Sequence, residues 1–196
     1  GELPEVARGL QLRGYAPFSY VSFHVLDSIL RTVTMEASIA AIRKTGIETV
    51  VSDPMMGVCR EGSRMLLCLD IDETLVDARS APPKVFVRPG AIALMEQLAS
   101  LRERGLSVWL WTAAVAPHAA RCAGFLSHAF GRPLPFDTLV ARGDWLIKGS
   151  KDVRRLPLAA TDRVMLVDNT PSMGLSSPQT TLVVPTYVFG TRDMFE

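Results

Sequence analysis

An uncharged apolar run, Met65-Leu66-Leu67-Cys68-Leu69, ends abruptly in two carboxylates, Asp70 and Asp72, with Thr74 two positions further on. A short apolar run without polar alternation describes a buried strand. On an alternating strand Asp70 and Asp72 would share one face. A strand that stops at Asp70 instead delivers that carboxylate to the rim of a sheet and leaves Asp72 in the loop beyond. Two acids this close repel unless a cation or a proton lies between them. The rest of the chain has to supply the reason for them.

Two more runs have the same form. Leu106 to Trp111 leads into Thr112, and Arg163 to Val167 leads into Asp168. Between them lie helical patterns. Residues 91–104 carry a stripe of Ile92, Met95, Leu98, Ala99 and Leu101 and stop at Gly105, and residues 117–129 begin with a proline in the first turn. Short strands are expected at 47–51, 85–87, 137–141 and 181–184, and a short helix at 151–156. Alternating apolar strands and helices predict an α/β fold, a Rossmann-like parallel sheet with helices on both faces. Ligands of such sheets bind outside the carboxyl ends of the strands, where Asp70, Thr112 and Asp168 all fall. Ahead of this domain, residues 1–23 are irregular. A helix over 25–44 carries Leu26, Ile29, Leu30, Val33, Ala37, Ala40 and Ala41 at helical spacing, and 52–64 reads as a linker. The division expected is an N-terminal extension over 1–61 and a domain over 62–196 lacking a sizeable cap.

Composition narrows the partners. With 196 residues the chain holds one good core. A net charge of +1 and a pI of 7.9 give no bulk signal for nucleic acid or an anionic membrane. A mean hydropathy of +0.21 points to a deeply buried sheet or to surfaces covered by a partner. No run is long enough to span a bilayer. Cys59, Cys68 and Cys122 are widely spaced and odd in number, which predicts an intracellular, reducing compartment, with nucleus, cytoplasm and mitochondrion all compatible.

Asp70, Asp72 and Asp168, with the Asn169 amide, offer hard oxygen ligands to Mg²⁺. Thr112 offers a hydroxyl and Lys151 a positive charge to a phosphate, with Lys148 three residues away as the alternative lysine. With a metal and a lysine drawing electron density from phosphorus, one carboxylate can attack it and a second can move the proton. His24, His118 and His128 show no triad or metal spacing and read as structural or exposed, and Trp109 and Trp111 read as packing.

Asp70-Ile71-Asp72-Glu73-Thr74-Leu75-Val76 resembles the first motif of the haloacid dehalogenase superfamily, and within it the branch of C-terminal-domain phosphatases and NLI-interacting-factor-like proteins. Arg88-Pro89-Gly90, Trp111-Thr112-Ala113, Lys151-Asp152-Val153-Arg154-Arg155-Leu156 and Val167-Asp168-Asn169-Thr170-Pro171 match further motifs of that branch, in order, over roughly residues 62–188. The resemblance implies a Mg²⁺-dependent phosphatase acting on phosphoserine or phosphothreonine of a protein. It makes Asp70 the nucleophile and Asp72 the general acid/base. Thr112, Lys151 and Thr74 become the phosphate-binding set, Thr74 also fixing the loop. Asp70, the Asp72 carbonyl, Asp168 and Asn169 become the metal set. Residues 77–87 leave almost no room for the branch's β-flap, and little of its C-terminal helical region follows Phe189. So open a site suits a phosphate on a protein surface better than a small metabolite. The alternative is a binding or assembly module on the same fold, as in a mitochondrial import-receptor relative, with a protein partner in place of a substrate. Retention of both Asp70 and Asp72 favours catalysis.

Overall fold

The computed structural model describes residues 20–79, 84–143, 145–146, 149–157 and 163–190, with side chains described from residue 32 onward. Two compact units divide the chain, residues 1–37 and 38–196. The expected extension over 1–61 does not coincide with this division, because residues 38–61 pack within the second unit. Helix α1 (Tyr20–Lys44) is longer than its apolar spacing predicted. Its last turns are oriented differently too: Ser38 and Ile42 are buried, whereas Ala40 and Ala41 are exposed. Leu26, Ile29 and Leu30 lie outside the described side chains.

Among the described residues eight strands follow: β1 (Thr49–Val51), β2 (Met65–Leu69), β3 (Val76–Asp77), β4 (Phe86–Val87), β5 (Leu106–Trp111), β6 (Thr138–Val140), β7 (Arg163–Asp168) and β8 (Thr181–Val183). Six form one sheet in the order β1-β6-β5-β2-β7-β8, every pairing parallel. The opening run is its central strand, flanked by the two runs that resemble it. From β2 the chain builds outward through α2 (Ala91–Glu103), β5, α3 (Ala116–Phe130) and β6, then crosses back to β7 on the other side. Strand order reverses at β2. Leu69 registers with Leu110 and with Val167, so Asp70 and Asp168 emerge side by side and Thr112 stands at the next strand end.

Period-two alternation sorts the sheet residues between two cores. Leu69, Val108, Leu110 and Leu139 pack with Met95 and Leu98 of α2 and with Ala119, Cys122 and Leu126 of α3. Leu66, Cys68, Trp109, Trp111, Val140 and Leu166 face the other way, against Trp145, Val153 and Leu156. Leu101, placed in the α2 stripe by spacing, is exposed at the helix's last turn.

The stretch expected as a linker lies across the sheet. A 3₁₀ turn at Pro54–Met56 is capped by Asp53, whose carboxylate accepts the Met55 N–H at 3.0 Å. The Val58 carbonyl accepts from Trp109 Nε1 at 2.9 Å and from the Thr138 hydroxyl at 3.0 Å. A Cβ on Gly57 would overlap the Trp109 ring, so only glycine admits this approach.

The flap is reduced to a two-stranded hairpin, β3 against β4, in which Val76 pairs with Val87 and Asp77 with Phe86. Buried Asp77 accepts the backbone N–H of Arg79 and of Phe189, each at 2.9 Å, and Phe86 stacks on Phe189 with ring centroids 3.6 Å apart. The chain after β8 thereby anchors the hairpin.

Candidate active site

The ends of β2 and β7 carry two carboxylates that share one cation. Lys151 Nζ donates to Asp70 Oδ1 at 2.7 Å and to Asp168 Oδ2 at 2.6 Å, and its side chain is 0 % exposed. It is delivered by the segment before a short 3₁₀ turn (Val153–Arg155), where the Lys151 N–H bonds the Met173 carbonyl at 2.8 Å. Burial alone would strip charge from Lys151 and from Asp70. For Lys151 the two carboxylates outweigh burial and hold its ammonium above the ordinary lysine range. For Asp70 burial dominates. It pushes the carboxyl up to about 6, with Lys151 opposing and Asp168 reinforcing the rise. Two acids against one base leave this buried cluster one positive charge short.

A tight loop separates Asp70 from Asp72. Thr74 Oγ1 donates to Asp70 Oδ2 at 3.1 Å and accepts the Asn169 N–H at 3.1 Å, which ties the β2 loop to the β7 loop. Glu73 adopts φ = 60°, a left-handed conformation that side chains other than glycine rarely take. Its carbonyl accepts the Tyr187 N–H at 2.7 Å, and its carboxylate reaches Arg79 at 2.9 Å and Asn169 Nδ2 at 3.3 Å. Buried Arg88, from the Arg-Pro-Gly motif, donates to the carbonyls of Thr74 and Pro185. Local strain at Glu73 is thus held by partners on three other segments.

Asp72 lives in different surroundings. Thr112 Oγ1 donates to its Oδ2 at 3.3 Å, while Oδ1 lies 2.6 Å from His118 Nε2. Burial would raise its carboxyl, but the hydrogen bond from His118, with help from Arg79 and Thr112, overcomes this and lowers it. His118 was not foreseen in the sequence, where it has no spacing partner. The signal was positional: it falls in the first turn of α3, the helix that starts four residues after Thr112, and a first turn there faces the strand ends.

These groups line a cavity of about 310 Å³ bounded by both aspartate loops, Thr112–Val115, Arg142 and Lys151. Asp70, Asp72, Thr112, Lys151, Asp168 and Asn169 all border it, while Thr74 stands behind them. Lys148, the alternative lysine, lies outside the described residues. Beside the Lys151 ammonium, the Asp70–Asp168 side presents two carboxylates and the Asn169 amide, hard oxygen donors that fit Mg²⁺ in a cluster deficient in positive charge. Among the described residues, the group of three metal-ligating side chains with mutually close donor atoms is a different one, Asp72, His118 and Cys122.

Comparison with known proteins agrees with the motifs. The profile of the family described as NLI interacting factor-like phosphatase matches residues 65–194. No curated protein sequence matches the chain. Two solved structures similar to it are Fcp1, an essential RNA polymerase II CTD phosphatase (19 % identity, 69 % of this chain and 46 % of that chain, TM-score 0.47), and the Pnkp1/Rnl/Hen1 complex (12 % identity, 68 % and 50 %, TM-score 0.46). This chain spans about half the length of each. A match over most of the chain, with the motif residues gathered at adjacent strand ends, places the protein in the NLI interacting factor-like phosphatase family.

Proposed function

We propose that the protein is a Mg²⁺-dependent phosphomonoester hydrolase acting on phosphoserine or phosphothreonine of a protein, through a phosphoryl group carried on Asp70. The observation that carries this reading is the pair of unlike aspartates. Asp70 is tied to a buried lysine, and Asp72 is tied to Thr112 and His118 two residues away. Two carboxylates in such different environments are the usual basis for dividing nucleophile from acid and base.

In this mechanism Thr112 and Lys151 hold the substrate phosphate in line with Asp70. An Asp70 oxygen bonds to phosphorus as the bond to the serine or threonine oxygen breaks, and Asp72 gives that oxygen its proton. Asp72 is ionised in the free protein. A phosphate dianion set beside it raises its proton affinity, so it arrives at the transition state able to donate. A water then attacks phosphorus, returns its proton to Asp72, and frees Asp70 with release of phosphate. Mg²⁺, held by Asp70, the Asp72 carbonyl, Asp168 and Asn169, would supply charge neutralisation for the phosphoryl oxygens. Hydrolysis of p-nitrophenyl phosphate should require Mg²⁺ and should fall by about 10³-fold or more in Asp70→Asn. Metal-independent turnover, or turnover that survives this substitution, would defeat the proposal.

One observation favours a second reading as a binding or assembly module. Along the β2–β7–β8 part of the sheet, Met65, Met165 and Leu182 remain about half exposed, at 50 %, 50 % and 52 %. That reading requires Asp70→Asn, devoid of turnover, to complement loss of the wild-type chain in its own cell.

A further inference from the structure

The proton-transfer carboxylate has a supporting chain that the motifs do not contain. Three residues of α3 at i, i+3 and i+4, His118, Arg121 and Cys122, meet behind Asp72 on one helix face. An Arg121 terminal nitrogen lies 3.0 Å from His118 Nδ1, and Cys122 Sγ lies 3.4 Å from Nε2. A guanidinium only donates, so Nδ1 is the acceptor there. The ring hydrogen then sits on Nε2, aimed at Asp72 Oδ1 at 2.6 Å.

Asp72, His118 and Cys122 have donor atoms within 4.8 Å of one another, the spacing of a chelate. The geometry opposes that use: a metal on Nε2 needs the hydrogen on Nδ1, where it would face the Arg121 donor. The trio is a hydrogen-bond chain, Arg121 to His118 to Asp72, with Cys122 packed against the ring.

We propose that His118, oriented by Arg121, is the positioning residue for Asp72, fixing Oδ1 so that Oδ2 stays on the Thr112 side to serve the departing oxygen. The inference rests on the phosphatase reading above. A carboxylate free to turn about its last bond would spend much of its time misdirected, and precise placement of a proton donor is worth orders of magnitude. The need for that proton differs among substrates. A nitrophenolate leaves readily without it, whereas a phenolate or an alkoxide such as serine does not.

The test is the dependence of kcat/KM on leaving-group acidity across p-nitrophenyl phosphate, phenyl phosphate and a phosphoserine peptide. His118→Leu should lose activity in a graded way, at least about 10-fold more on the peptide than on the nitrophenyl ester. In His118→Gln the side-chain amide can donate where Nε2–H did, so the wild-type dependence should return to within about 3-fold. Thermal denaturation of both variants tracks folding. A parallel loss on all substrates, no loss on any, or failure of Gln to restore the slope overturns the positioning role. Loss of turnover in Asp70→Asn, with Mg²⁺-dependent wild-type activity, would leave the phosphatase reading standing even then. An inactive wild type overturns both.

Discussion

Asp70 sits where a negative charge is disfavoured, and this sets how stability and pH are linked. Its carboxyl titrates near 6 in the folded metal-free protein, against an ordinary 3.8. Between those values the folded state binds more protons than the unfolded one. The stability this residue contributes is therefore complete below about pH 4 and is lost as pH rises through 6. Asp72 runs the other way: its lowered carboxyl stabilises above the ordinary range, and that share is lost on acidification. In EDTA at pH 7, Asp70→Asn should unfold at higher urea than wild type, by at most about 3 kcal/mol, and the gap should close near pH 4. Asparagine leaves Lys151 matched one-to-one with Asp168. Lys151→Met is the opposite case: it strands two buried carboxylates and should cost about 3–5 kcal/mol in the same measurement. At this scale the sequence was legible wherever chemistry repeats at strand ends. Asp70, Thr112 and Asp168 each close an apolar run, and the runs themselves told where they point. His118 was harder to read: its partner lies 46 residues away, and its one mark is its place in the first turn of the helix after Thr112.

Elements were legible in proportion to their apolar content. The strands at 65–69, 106–111 and 163–168 fall where continuous hydrophobic runs end in polar residues; 106–111 is buried on both faces, which leaves no room for alternation, while Met65 and Met165 stay half exposed on the other two. The 52–64 stretch was misread for a physical reason. Its prolines, glycines and charges suit a linker, but its backbone hydrogen bonds go to side chains on other strands, Thr138 and Trp109 among them, and those partners carry no local signature. Two glycines separate packing from propensity. Gly57→Ala forces a methyl into the Trp109 ring and should destabilise by about 1–3 kcal/mol in urea unfolding. Gly124→Ala, in an exposed interior position of α3 where an added Cβ meets nothing, should stabilise by about 1 kcal/mol.

For the whole molecule, the place at which the chain is cut should matter more than how much is removed. Deleting residues 1–37 leaves the second compact unit complete and should leave its Tm within a few degrees. Deleting 1–61 removes β1, buried Ile42 and Ile47, and the Val58 carbonyl on which Trp109 and Thr138 depend. A loss of roughly 10 °C or more follows from two core isoleucines alone. Differential scanning calorimetry on the two truncations distinguishes them. In the proposed phosphatase reaction the β3–β4 hairpin offers little cover: its strands are two residues each, and of its described residues Arg79 borders the cavity. On that proposal water is displaced from the reacting centre largely by the substrate's own surface. Residues flanking the phosphorylated side chain therefore finish the enclosure, and their binding free energy is expressed in the transition state rather than in the ground-state complex. If the proposed phosphatase reading holds, shortening a phosphopeptide around its phosphoserine should lower kcat while KM changes little, the substrate then acting as the lid over its own site.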